Sequence, residues 1–194
     1  MQVLVIGASG TLGSAVATAL EGAHQVIRAS RNGPVQVDVS DPSSMDALFA
    51  ELPYLDAVIC CAASGPLVDL ATVTDDEIVT GIQGKLLGQV ALARRALRHL
   101  RDGGSITLTG GTFVAPFPGA SLGALINSGL EGFVRNVSAE LPRGLRINLI
   151  SPGWIRETLV QLGMDATPGT PAAEVADAYV RAVEGVAQGE LIRP

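Results

Sequence analysis

Cysteine is almost absent from this chain, and the two residues present, Cys60 and Cys61, are neighbours. Adjacent cysteines cannot reach ordinary disulfide geometry without straining the backbone. A cross-linked scaffold is therefore excluded, and both read as reduced core residues. No uncharged run approaches the roughly 20 apolar residues of a membrane span. Residues 1–10 run straight into an apolar strand with no basic start and no cleavage site, so a soluble cytoplasmic protein is the expectation. Basic residues are outnumbered by acidic ones, 13 to 19, for a formal charge of -6. That sign opposes nonspecific attraction to nucleic acid or to an anionic membrane, so any phosphate must be bound locally. The only histidines, His24 and His99, read as surface residues away from the strand carboxyl ends, and no His, Cys or carboxylate spacing suggests a metal site.

What is present is apolar and regular. Hydrophobic residues make up 47% of the 194, enough for one domain over residues 1–194 with a buried sheet. Short β-rich runs alternate with longer helical periods, the pattern of βαβ units. Strands are predicted at Gln2–Ile6, Gln25–Arg28, Val35–Val37, Ala57–Cys60, Ser105–Thr109, Arg146–Ile150 and Glu190–Ile192. Helices are predicted at Thr11–Gly22, Pro42–Leu52, Thr74–Leu100, Ala120–Leu141 and Pro171–Val186. The fold class is α/β: a Rossmann-type doubly wound parallel sheet of about seven strands in a three-layer α/β/α arrangement. Two long loops, Gly110–Gly119 and Trp154–Thr170, follow the fifth and sixth strands. Ligands of open parallel sheets bind at that carboxyl end.

The segment Val3-Leu-Val-Ile-Gly7-Ala-Ser9-Gly10-Thr11-Leu12-Gly13 is an apolar strand that breaks into three glycines and enters a helix. Glycine permits the tight turn, the approach of backbone to a pyrophosphate, and the packing of helix on strand. This context reads as a dinucleotide site. The second strand ends in Ser30 and Arg31 with no acid, where an NAD site would place a carboxylate against the ribose 2′-OH. Ser30 can donate a hydrogen bond and Arg31 a charge-assisted fork to a 2′-phosphate, which favours NADP over NAD. Further on, Asp38 in Val37-Asp38-Val39 either accepts from the adenine amino group or caps the turn at Ser40-Asp41-Pro42.

Taken together, these features resemble the short-chain dehydrogenase/reductase family over nearly the whole chain. Leu55 to Ala63 is similar to the family's fourth strand, which ends Asn-Asn-Ala-Gly, with the Ala kept at Ala62 beside Cys61. Gly104-Ser105-Ile106 resembles the start of the family's fifth strand. Ser128 to Phe133 resembles the stretch after its catalytic lysine, and Arg146-Ile147-Asn148 with Ser151-Pro152-Gly153 resembles its sixth strand and Pro-Gly turn. The resemblance implies Ile155 near the nicotinamide and Thr158 at its carboxamide. It also implies a homodimer or homotetramer.

The family's chemistry uses a Tyr, a Lys four residues later, a Ser at the end of the fifth strand and an Asn in the fourth helix. Alignment on Ser128–Phe133 puts Gly123 at the Tyr position and Asn127 at the Lys position. The Ser position falls at Gly110 or Gly111, with Thr109 and Thr112 as the nearby hydroxyls, and both tyrosines, Tyr54 and Tyr179, are distant in sequence. Gly84-Lys85-Leu86-Leu87-Gly88 resembles the family's Asn-x-x-Gly with Lys85 in the Asn place, so Lys and Asn have exchanged positions. An inward Lys85 can reach a ribose or a substrate oxygen, and burial would lower its pKa; the other reading is a surface cation beside Arg94, Arg95 and Arg98. Trp154 covers the nicotinamide or packs in the core, and Glu157 and Asp165 lie in the substrate loop.

The expectation is an NADP(H)-dependent oxidoreductase acting on a small-molecule carbonyl or activated double bond. Its proton source would lie among Lys85, Thr109, Thr112, Ser121 or water, with Asn127 beside them. The alternatives are a nucleotide-binding sensor or partner protein without turnover, and a non-redox isomerase in the same pocket.

Overall fold

Leu4 and Ile6 of the first strand point to one side and Val3 and Val5 to the other, and all four are buried. A strand apolar on both faces must be covered by helices on both, and it forms the centre of the sheet here. The computed structural model describes residues 1–62, 65 and 67–194. Its strands are β1 (Gln2–Ile6), β2 (Gln25–Ser30), β3 (Val35–Gln36), β4 (Leu55–Cys60), β5 (Leu100–Thr109), β6 (Arg146–Ile150) and β7 (Leu191–Ile192). They form one parallel sheet in the order β3-β2-β1-β4-β5-β6-β7. The order reverses between β1 and β4, which opens a crevice at their carboxyl ends.

The helices are α1 (Thr11–Glu21), α2 (Pro42–Glu51), α3 (Asp75–Ile82), α4 (Gly88–His99), α5 (Ser121–Val137), α6 (Arg156–Gln161) and α7 (Ala172–Glu184). One core joins Leu4 and Ile6 to residues of α2, α4 and α5; the other joins Val3 and Val5 to α1 and α7. Asp41 caps α2 by accepting from Ser43 N (2.8 Å), with Pro42 in the first turn. Thr74 and Glu77 form a reciprocal capping box on α3, which satisfies donors that the first helical turn leaves orphaned.

The predicted helix Thr74–Leu100 is not uniform. Between α3 and α4 lies a π-helical turn, Gln83–Leu87, a wider turn that often marks a functional position. Gly88 follows it at a close approach of backbones, where a Cβ would stand 2.6 Å from Val39 O. Other corrections concern boundaries: Leu100 opens β5, α5 stops at Val137, and the loop Trp154–Thr170 contains the short helix α6. Neither histidine is free on the surface. His24 has a buried side chain paired with Glu184 (2.9 Å), and His99 stacks on Phe49 at 4.8 Å. Among the described residues no helix is long and apolar enough to cross a membrane, and no group of metal-ligating side chains is found.

Candidate functional site

The glycine turn is shaped by contacts that no side chain could share. Gly7 has φ +83, and a Cβ on it would lie 2.6 Å from Ala62 N; one on Gly13 would lie 2.1 Å from Gly7 O. These glycines let the end of β4 and the start of α1 close on the turn. Gly10 begins α1 with no side-chain cap, and among the described residues the N–H groups of Thr11, Leu12 and Gly13 have no acceptor. Uncapped first-turn N–H groups beside a glycine turn fit the pyrophosphate of a dinucleotide. Ser9 is exposed, and Thr11 Oγ1 accepts from Gln161 Nε2 of α6 (3.1 Å).

At the adenine side, Ser30 ends β2 as a buried hydroxyl and Arg31 is exposed with no ion pair among the described residues. Asp38 caps the turn through one carboxylate oxygen. Its Oδ1 accepts from Ser40 N (2.9 Å) and Ser40 Oγ (2.6 Å), contacts that hold its carboxyl below the usual range, with Arg31 adding to the effect. Val39 is buried under α4. The Cys61 side chain packs toward α1 and α7, and Ala62 toward the opposite core. Burial pushes the Cys60 thiol up to about 12 and Cys61 further, so neither is a thiolate at neutral pH. Ala63, the last residue of the family-like segment, lies outside the described residues.

Lys85 points inward. Its Nζ donates to Asn127 Oδ1 (2.9 Å) and to Gly110 O (3.4 Å), joining the π turn to α5 and to the end of β5. No carboxylate pairs with it among the described residues. Desolvation therefore dominates, and the pKa falls from the ordinary 10.5 to about 8. Lys85 is also the only lysine of the chain; every other basic residue is arginine. Arginine stays charged in proteins, so Lys85 is the one long basic side chain able to exchange a proton near neutrality. That compositional signal is readable without a structure.

The other expected hydroxyls part company. Thr109 is a correction: it is buried on the α7 side of the sheet, where its Oγ1 donates to Cys60 O (2.6 Å) and meets Tyr179 Oη (2.7 Å). Side chains alternate along a strand, and in β5 the residues Ile106 and Leu108 face the α4 and α5 side while Thr109 faces away. Tyr179, distant in sequence, thus ends beneath the site as a core residue, its phenol pKa raised by burial.

Thr112 stays at the carboxyl ends, with its Oγ1 at Ser151 O (3.0 Å) and Ser151 Oγ (3.1 Å). At Gly110 and Gly111, where the family's Ser position falls, a Cβ would press on side chains only, at 3.3 Å from Ser151 Oγ and 3.1 Å from Asn127 Nδ2. The ring of Phe113 closes over Gly123, 3.2 Å from where a Cβ would be, and so fills the space a side chain at 123 would use. Gly111, Thr112, Phe113, Asn127 and Arg193 line a cavity of about 200 Å³.

Phe113, Phe117 and Trp154 form an aromatic wall, with centroids 5.1 and 6.3 Å apart. Pro152 is buried, Gly153 is exposed, Ile155 bridges to Thr170, and Thr158 is half-buried on α6. The two loop acids are caps: Glu157 accepts from Ala172 N (3.0 Å), and Asp165 from Thr167 N (2.9 Å).

Comparison with known proteins places this geometry in context. The sequence model of a family described as enoyl-(acyl carrier protein) reductase matches residues 7–183. Versicolorin reductase 1 of Aspergillus parasiticus is 29% identical over 180 residues, 79% of this chain and 69% of its own. The enoyl-acyl-carrier-protein reductase (NADH) FabI of Synechocystis is 34% identical over 129 residues, 61% of this chain and 50% of its own. Among solved structures, the protein lin1944 from Listeria innocua has a TM-score of 0.95 at 34% identity, with 100% of this chain and 98% of that one covered. A small-chain dehydrogenase in complex with NADPH has a TM-score of 0.86 at 26% identity, covering 100% and 96%.

Proposed function

We propose that this chain, which belongs to the short-chain dehydrogenase/reductase family, is an NADP(H)-dependent oxidoreductase that reduces a carbonyl or an activated carbon–carbon double bond with Lys85 as its proton donor. The observation that carries the reading is the inward Lys85 ammonium, bound to Asn127 Oδ1 and Gly110 O at the carboxyl ends of the strands. Gly7, Gly10 and Gly13 with the first turn of α1 would hold the pyrophosphate, and Ser30 and Arg31 the 2′-phosphate. When bound, the nicotinamide supplies the hydride. Lys85 Nζ, protonated below about pH 8, gives its proton to the substrate oxygen or carbon as charge develops there. Asn127 Oδ1 and Gly110 O keep the ammonium in place between turnovers. Gly123 and Asn127 stand where the family has Tyr and Lys, so the usual pair is replaced by a single amine reached from the opposite helix.

The test is an NADPH fluorescence titration, followed by deuteride transfer from stereospecifically labelled NADPH to a panel of ketones and enones. Saturable binding and transfer from one face are expected. Binding without transfer to any of them would refute the reductase reading, and no binding would refute the cofactor. Within the same titration, Arg31→Ala should weaken NADPH about ten- to a hundredfold, the worth of a hydrogen bond to a charged group, and leave NADH unchanged. Equal effects on both would remove Arg31 from the 2′-phosphate. The same proposal has the protein acting in the cytoplasm as a homodimer or homotetramer through α4 and α5, near the exposed Leu87 and Leu125; a monomeric mass by light scattering would contradict it.

A further inference from the structure

Gln89 is fully buried, yet its side chain ends in a polar amide, and that amide makes three hydrogen bonds. A buried amide is costly unless satisfied, so where its bonds go is informative. Pairing of β4 with β5 ends at Ile59 and Thr107. The backbone of Thr109 faces the β4 side, because Gly110 N, the next donor, bonds Ile150 O of β6 (2.8 Å). Thr109 N donates to Gln89 Oε1 (2.9 Å), and Gln89 Nε2 donates to Thr109 O (2.9 Å). The Gln89 amide thus acts as a substitute strand where β4 has stopped.

Gln89 Nε2 also donates to Lys85 O (3.2 Å), one turn earlier. A closed ring results: Lys85 backbone to Gln89, Gln89 to Thr109, Thr109 covalently to Gly110, and Gly110 O back to Lys85 Nζ. We propose that Gln89 is the positioning residue of the site, holding the π turn against the end of β5 so that the half-buried Lys85 keeps its ammonium on Asn127 Oδ1 and Gly110 O.

This rests on Lys85 being the proton donor, and it adds a residue that touches neither substrate nor cofactor. The groups around Lys85 leave desolvation in control. Glu131, one turn beyond Asn127 on α5, is engaged by Arg193 (3.3 Å). Cys60, Cys61 and Tyr179 beneath the sheet end are neutral at pH 7 because burial raises each of them. Asp38 and Asp41 at the end of the adenine side are held by Ser40 and Ser43.

Because the chain has one lysine, protein labelled with [ε-¹³C]lysine gives a single side-chain resonance to titrate. The wild type should titrate near 8. Gln89→Met removes all three bonds at similar volume, and the released Lys85 should titrate about one unit or more higher, toward the ordinary 10.4. Gln89→Leu, which also removes all three bonds and adds no charge, should move it upward as well, which keeps the test available if Gln89→Met does not fold. A merely structural Gln89 would lower the thermal midpoint and leave the Lys85 titration in place, and that result overturns the proposal. An ordinary lysine pKa in the wild type would instead overturn the reading of Lys85 itself, so the two failures are distinct.

Discussion

Replacing Lys85 by methionine should lower reduction of a carbonyl or enone by about 10²–10⁴-fold, the usual contribution of a positioned acid. Methionine keeps the apolar stem and removes the only titrating amine in the cleft, so NADPH affinity should change by less than about tenfold. The pH profile follows from the sign of the shift. Lys85 has a lowered pKa, about 8, so the donating form predominates below pH 8. The rate of reduction should be flat there and fall tenfold per unit above it.

Stability should move the opposite way. An amine whose folded pKa lies below its unfolded value disfavours the folded state most fully below the folded pKa, and the penalty fades as pH rises from about 8 toward 10.5. Lys85→Met removes the penalty but leaves Asn127 Oδ1 and Gly110 O without their donor. The net gain at pH 7 should be about 1–3 kcal/mol. A variant that is more stable and nearly inactive would be the signature of a group kept for chemistry. Full activity in Lys85→Met would remove the mechanism.

The second large effect concerns the glycine turn. Gly13→Ala puts a Cβ 2.1 Å from Gly7 O, and neither side of that contact is a flexible side chain. The start of α1 must move off the turn, at about 3 kcal/mol or more, and NADPH binding should be lost with it. Gly10→Ala is the matched control: its nearest atom would be at 3.4 Å, and its backbone is extended with φ -81. It should fold with stability within about 1 kcal/mol of wild type, while NADPH weakens at least tenfold because the backbone no longer approaches the pyrophosphate. Differential scanning calorimetry with and without NADPH separates the two. If Gly13→Ala folds and binds like wild type, the packing role of the third glycine is wrong. If Gly10→Ala binds NADPH normally, the phosphate does not sit at this turn.

Much of this was legible before any coordinates. The apolar runs placed all seven strands, and the Gly7, Gly10 and Gly13 spacing located the helix start, because both are local properties of period and backbone freedom. The boundary errors fell where local order is not decisive: Leu100 continues the helical period but opens β5, and α6 forms in a loop whose composition reads as turn. The cap that Asp38 makes on Ser40 is local, two positions on, and leaves its other carboxylate oxygen without a side-chain partner among the described residues.

The fold class and the glycine crossover after the first strand follow from the order of residues, since each depends on neighbours within a few positions. The working site does not. Lys85 and Asn127 lie 42 positions apart and Thr109 and Tyr179 lie 70 apart; which pair meets in the cleft and which is buried beneath it depends on the face each strand and helix presents after packing. A lysine on a helix is a surface cation by default. In the proposed mechanism Lys85 serves as an acid because its turn is directed inward, with Nζ on Asn127 Oδ1 and Gly110 O, contacts that exist only once α5 and the end of β5 pack beside it.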